Sequence, residues 1–148
     1  MAVIKYTMHF DGDEVVELEN PTIDDVLRWV KKLDGEKNTI VAVQLNNGST
    51  AEVGGGTGGR YKVNTRVNGQ VFDLASDISN SYERIPLIVC EDLCFYPEKY
   101  IVSLEQALAA MRHFCTTGEL SPEFAWSSDQ DYYPFEPETR SDAEPPWL

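Results

Sequence analysis

The spacing of apolar residues switches between a period of two and a period near 3.6 along the chain, and each switch marks a predicted element. Residues 2–10 read as a strand, Asp11-Gly12-Asp13 as a turn, and residues 14–18 as the returning strand of an opening hairpin. A helix follows. Ile23, Val26, Leu27, Val30 and Leu33 fall on one face at helical spacing, leaving Arg28, Lys31 and Lys32 outside. Thr22 stands behind Pro21 as the N-cap, Asp24 and Asp25 sit in the first turn where the helix dipole favours acids, and Gly35 supplies the stop.

The period then returns to two. Residues 39–45 form a β-branched run, Asn46-Asn47-Gly48-Ser49 a turn, and residues 50–53 a strand that leads into a run of glycines. From Arg60 to Val67, Tyr61, Val63, Thr65 and Val67 alternate with Arg60, Lys62, Asn64 and Arg66, the pattern of a strand with one buried face. Asn68-Gly69 is a strong hairpin signal, and residues 70–74 answer it as a strand. After a polar loop at residues 77–82, residues 86–90 and 94–96 read as short strands, with Pro97 as punctuation. Ser103-Leu104-Glu105-Gln106 is a capping box opening a second helix. Leu104, Ala107, Leu108, Met111, Phe114 and Cys115 make its apolar stripe, and Gly118 stops it. Together these elements predict an α+β fold, a mostly antiparallel sheet of about five to seven strands packed by two amphipathic helices. A single domain is expected over residues 1–127, followed by an acidic, aromatic and proline-rich C-terminal extension over residues 128–148.

Within Val53-Gly54-Gly55-Gly56-Thr57-Gly58-Gly59, the residues Gly54, Gly56 and Gly59 satisfy the dinucleotide-binding spacing G-x-G-x-x-G. That motif requires a helix after the glycines, whose free N–H groups and dipole hold a pyrophosphate. A strand follows instead, and no Gly-Lys-Ser or Gly-Lys-Thr continues the run. The glycines read as a loop or bulge between strands, and no cofactor is expected.

Charge narrows the partners. With 25 acidic residues against 12 Lys and Arg in 148, the net charge of −13 repels nucleic acid and anionic membrane and favours docking onto a basic protein surface. Plain solubility is the other meaning of such a charge. No apolar window is long enough to span a membrane, and the N-terminus lacks the apolar core of a signal peptide, which predicts a cytoplasmic chain. Cys90, Cys94 and Cys115 lack the C-x-x-C spacing, and with His9 and His113 they offer a thin ligand supply. They read as free thiols, with no metal.

Beyond Pro122 the composition shifts. Residues 123–148 interleave acids with aromatic residues and proline, the make-up of a recognition segment whose rings supply contact area while its carboxylates meet a basic surface. The other reading is a tail that closes over the chain's own sheet, and this is the reading preferred for Trp126. The residues singled out for binding a basic partner are Asp129, Asp131, Tyr132 and Tyr133 in the extension, then Asp77, Glu83, Glu91 and Asp92 in the loops. Two alternatives stand beside binding by an inhibitor. One is a small adaptor for another basic protein. The other is a hydrolase using the paired carboxylates Glu91 and Asp92, or Asp11 and Asp13, with His113 as base.

The order of these segments carries a resemblance. A D-G-D hairpin, a helix opened by P-T-I-D-D, a strand pair leading to A-E-V-G-G-G, and then Y-I-V-S-L-E-Q-A-L-A-A-M-R-H-F-C-T-T-G-E-L-S-P-E-F-A-W resemble the first family of bacterial polymorphic-toxin immunity proteins. The chain is also similar to immunity proteins paired with DNA cytosine deaminase toxins. The resemblance spans most of residues 1–127 and is densest from Val102 to Trp126. It implies a non-catalytic α+β domain that binds and neutralises the producing cell's own toxin in the cytoplasm, one to one, with no cofactor. It does not extend to residues 128–148 and does not name the binding residues.

Overall fold

The turn residues at Asp11-Gly12-Asp13 fold the first strand back on itself, so that β1 (Ile4–Asp11) pairs antiparallel with β2 (Glu14–Glu19). The computed structural model describes residues 2–128. Next comes α1 (Ile23–Lys31), opened by a capping box: the Thr22 hydroxyl accepts from the Asp25 N–H while the Asp25 carboxylate accepts from the Thr22 N–H. Four further strands run in sequence: β3 (Ile40–Leu45), β4 (Thr50–Gly55), β5 (Tyr61–Val67) and β6 (Gln70–Leu74). A separate hairpin of β7 (Arg84–Val89) and β8 (Asp92–Pro97) precedes α2 (Leu104–Thr117), and β9 (Trp126–Ser127) closes the described chain.

The large sheet has the order β2-β1-β3-β4-β5-β6-β9, every neighbour antiparallel. Trp126 pairs with Leu74 on its last strand, and the indole N–H donates to the Ser121 carbonyl at 3.0 Å. Both helices pack against one face of this sheet. Val41, Val43, Ala51, Val53 and Val63 from the strands meet Val26, Val30, Met111 and Phe114 from the helices in one buried cluster. Complete burial of a side chain such as Phe114 contributes about 2–3 kcal/mol, and such terms are what hold the two layers together.

Three expectations need correction. The first helix ends at Lys31, where the Lys32 N–H turns back to the Trp29 carbonyl. Gly35 lies beyond that stop, and it is required by close approach: a Cβ there would lie 1.7 Å from the Thr57 hydroxyl oxygen. In the second helix only half of the expected capping box forms. Ser103 Oγ accepts from the Gln106 N–H, but the Gln106 side chain turns outward from the helix, donating to the Ala75 carbonyl and accepting from the Asp77 N–H. Lys62, expected on an open face, is buried at 4 % exposure against Asp73 at 1 %.

The cause of that burial is the β7–β8 hairpin, which lies across the face of the sheet opposite the helices. It can do so because of the glycines. A Cβ on Gly54 would come within 2.5 Å of a Val89 methyl, and one on Gly55 within 2.8 Å of Leu87. The bare backbone of β4 is therefore a seat for β7. Gly56, at φ 111°, would drive a Cβ to 2.5 Å from the Leu33 carbonyl oxygen, so the same run also clears the exit of α1. Backbone approach is the shared physical theme of this run and the nucleotide motif, and here the approaching group is the protein itself.

Candidate functional site

The sheet register sorts the far face into rows. One row runs Glu17, Met8, Ala42, Glu52, Asn64, Asp73 across β2, β1, β3, β4, β5 and β6, and the next runs Glu19, Tyr6, Gln44, Thr50, Arg66, Val71. A third row holds Ile40, Gly54 and Lys62, and here the hairpin crosses. Among the described residues nothing else crosses this face, and Glu17, Glu19, Glu52 and Arg66 stand exposed beside the hairpin. A recess of ≈ 410 Å³ lined by Lys5, Tyr6, Glu19, Asn20 and Gln44 lies at the β1–β2 margin of the sheet.

Beneath the hairpin the ammonium of Lys62 is ion-paired with Asp73, 5.2 Å from the centre of the Tyr96 ring and 5.8 Å from that of Tyr100. Burial holds the Lys62 pKa below its ordinary value, with Asp73 opposing the shift. The fully buried Tyr100 donates its hydroxyl to Ser127 Oγ, which ties the closing strand to the same cluster. This buried pair is a structural support under the hairpin, walled off from solvent.

The hairpin tip is where acids gather. Val89 and Asp92 flank a two-residue turn in which Cys90 and Glu91 both have positive φ, 53° and 71°. Such a turn favours Asn-Gly, and holding non-glycine residues in this region costs of order 1–2 kcal/mol each. Thr39 holds the turn in place: its carbonyl accepts from the Cys90 N–H at 3.3 Å and its hydroxyl from the Glu91 N–H at 3.0 Å. Burial pushes the Cys90 thiol pKa up, and the carboxylates of Glu52, Asp92 and Glu91 push it further. Three acids from two layers thus converge on one negative region.

The sequence-selected residues divide accordingly. Glu91 and Asp92 lie at the tip, exposed and beside Glu52, which sequence reasoning missed because strand pairing alone brings it there. Asp77 and Glu83 lie at the opposite end, where the Glu83 carbonyl accepts from the Glu98 N–H and the Asp77 N–H is bound to Gln106. Six residues of β7 separate the two groups by roughly 20 Å. One surface patch therefore does not contain all four. Asp129, Asp131, Tyr132 and Tyr133 lie outside the described residues.

The hydrolase constellation is not brought together. His113 is carried by α2 on the helical side of the sheet, and Glu91 and Asp92 by the hairpin on the other. Asp11 and Asp13 flank Gly12 at the separate β1–β2 tip, whose Gly12 N–H donates to the Lys37 carbonyl. Among the described residues no group of three His, Cys, Asp or Glu side chains is placed to hold a metal ion. Cys115 is buried in the helical layer, away from the hairpin thiols Cys90 and Cys94.

The family model described as immunity protein Imm1 matches residues 14–128, well over half of the 148-residue chain. The chain belongs to the Imm1 family of immunity proteins. Comparison with curated proteins finds no match. For an Imm1 protein the expected partner is a cognate toxin, and a binding surface is the relevant kind of site. The matched span takes in both helices, the glycine seat, the hairpin and the closing strand of this immunity protein, so each belongs to the family domain. Among the described residues no helix is long and apolar enough to cross a membrane.

Proposed function

We propose that this immunity protein neutralises, in the cytoplasm and as a one-to-one complex, a toxin that acts on nucleic acid, such as a deaminase or nuclease, by covering its basic active-site cleft. The observation that carries this reading is the sidedness of charge. On the helices the exposed Arg28, Lys31, Lys32 and Arg112 stand among Asp24, Asp25 and Glu105, which leaves that side close to neutral, whereas Glu17, Glu19, Glu52, Glu91 and Asp92 outnumber Arg66 on the exposed sheet face and its hairpin. A cleft that holds a polyanion is basic, and an acidic inhibitor is drawn to it by the same field that attracts the substrate. Binding there excludes the substrate without any chemistry by the inhibitor. The aromatic and acidic residues Asp129, Asp131, Tyr132 and Tyr133 are proposed to add to the same acidic surface.

The test is co-expression with the toxin domain encoded beside this chain's gene, scored by growth and by pull-down. Rescue of growth with a stable one-to-one complex, reversed by nucleic acid or by high salt, is the expected result. A fully active toxin that neither binds the protein nor loses toxicity refutes the pairing, and rescue without a complex refutes occlusion.

A further inference from the structure

The β7–β8 ribbon has two faces, and only one is explained by the fold. Register places Leu87 with Cys94 and Ile85 with Tyr96 on the inner face, where Leu87 is buried over the glycine seat and Tyr96 lies by the Lys62 ammonium. Alternation then turns Pro86, Ile88, Leu93 and Phe95 outward. Pro86 is exposed, Ile88 and Phe95 are half-exposed, and Leu93 is 59 % exposed. Four apolar side chains thus stand together on solvent, bounded at the tip by Glu91 and Asp92 and at the base by Glu83. Isolated exposed apolar residues are ordinary, but a contiguous cluster with a charged rim marks an interaction surface.

We propose that this outward face of the β7–β8 hairpin is the anchor of the toxin interface, with Ile88, Leu93 and Phe95 packing into the lip of the toxin's cleft while Glu91, Asp92 and Glu52 meet its basic groups. The assignment rests on the toxin-binding reading above and adds the surface to it. Charge complementarity selects the partner: the apolar cluster shares one end of the molecule with the three converging carboxylates, so its occupant is an apolar site rimmed by Lys or Arg. Preorganisation supports it as well. Among the described residues the ribbon pairs with no other strand, yet it is fixed at the tip by Thr39, along its length by the glycine seat, and at its base by the Glu98-to-Glu83 and Lys99-to-Ser81 backbone hydrogen bonds of 2.8 and 2.9 Å. A presenting element held at three places loses little freedom on binding.

Area defines how much the hairpin supplies. Two strands of six residues offer a face of roughly 20 by 10 Å, about 200 Å², against the about 800 Å² per partner of an ordinary specific interface. The hairpin is therefore the anchor, and the remaining contact comes from the open sheet beside it, the row of Glu17, Met8, Ala42 and Glu52.

Binding kinetics against a catalytically inactivated form of the neighbouring toxin domain test this at low and high salt, using full-length protein. Leu93→Arg should weaken binding about thirtyfold, mainly through faster dissociation, as expected for loss of a central apolar contact. The pair Glu91→Lys and Asp92→Lys should slow association about tenfold at low salt and approach the wild-type rate at high salt, the signature of lost steering. Lys31→Glu with Arg112→Glu, on the helical side, should leave dissociation unchanged. Circular dichroism melts check that each variant is folded. A wild-type protein that binds and protects, alongside hairpin variants that bind within twofold of it, would overturn the anchor while leaving the immunity reading intact. No binding by the wild type removes both.

Discussion

Replacing Gly54 with alanine tests whether the hairpin is held where its function would require it. Gly54 does not have a positive φ, so alanine fits the backbone and the perturbation is steric. The new methyl group would stand 2.5 and 2.9 Å from the two Val89 methyls and 3.1 Å from the Val89 Cβ. Restoring ordinary contact at 3.5–4.0 Å requires the hairpin to retreat by about 1 Å, because a β-branched side chain has little rotamer freedom with which to yield. Overpacking of this kind costs about 1–3 kcal/mol, and loosening the two Thr39 hydrogen bonds adds to it, while the lower entropy of the unfolded chain returns about 0.4–1 kcal/mol. A net destabilisation of about 2 kcal/mol lowers the melting temperature by roughly 4–8 °C in a chain of this length. Val89→Ala removes both clashing methyls, so the double variant should be more stable than the sum of the single effects by at least about 1 kcal/mol. Urea and thermal melts of the four proteins decide it. A Gly54→Ala protein as stable as the wild type, or single effects that add within about 0.5 kcal/mol, would refute the seat.

Lys62→Met should cost about 3–5 kcal/mol in urea melts because it leaves the Asp73 carboxylate buried without its ammonium, and Lys62→Met with Asp73→Leu should recover most of that; a single variant milder than the double would refute the account. Burial holds the imidazole of His9, whose ring centre lies 3.9 Å from that of Trp29 with the two planes tilted by 51°, below its usual pKa, with Asp11 opposing and Lys32 reinforcing the shift. The unfolded chain therefore takes up the proton first, and stability should fall as pH drops below about 6.5, by at most about 1.4 kcal/mol per pH unit; His9→Phe should flatten that slope. Burial pushes the Cys115 thiol up to about 12, so a thiol reagent at pH 8 should label Cys90 and Cys94 well before Cys115, and equal rates in the folded protein would contradict the packing. Residues 129–148 carry six acids and Arg140, a net −5 that leaves −8 of the total −13 on the rest, so truncation after Ser128 should slow association with the toxin at low salt; a dissociation rate raised more than association is slowed would instead make Tyr132 and Tyr133 anchors.

What could be read in the sequence was whatever a local period or a local turn determines. The alternation of residues 60–67, the Asn68-Gly69 turn and the two apolar helical stripes each depend on neighbours within a few positions, and the corresponding elements lie within one residue of their expected ends, except that the first helix stops at Lys31, short of the expected Gly35. The misplaced features depend on distant partners. Lys62 alternates as a solvent-facing residue should, and only a hairpin more than twenty positions later covers it. Gln106 completes a capping box by spacing, but Ala75 and Asp77 offer its amide both a donor and an acceptor in the folded chain. The Cys90-Glu91 turn contains no turn-forming residue and is held by Thr39, some fifty positions away.

The same distinction separates the parts of the candidate site. Net charge is a property of composition, so a preference for a basic partner could be inferred without a fold. Location is a property of register. Glu52 joins Glu91 and Asp92 only because β4 lies under β7, and Pro86, Ile88, Leu93 and Phe95 share a face only because their pairing sets the alternation of both strands. Charge without an apolar anchor gives fast, salt-sensitive encounter and little residence, and an apolar patch without charge gives little choice among partners. Their meeting at one end of a rigid ribbon is what a specific inhibitor needs, and the glycines that mimic a nucleotide motif are what allow the ribbon to lie there.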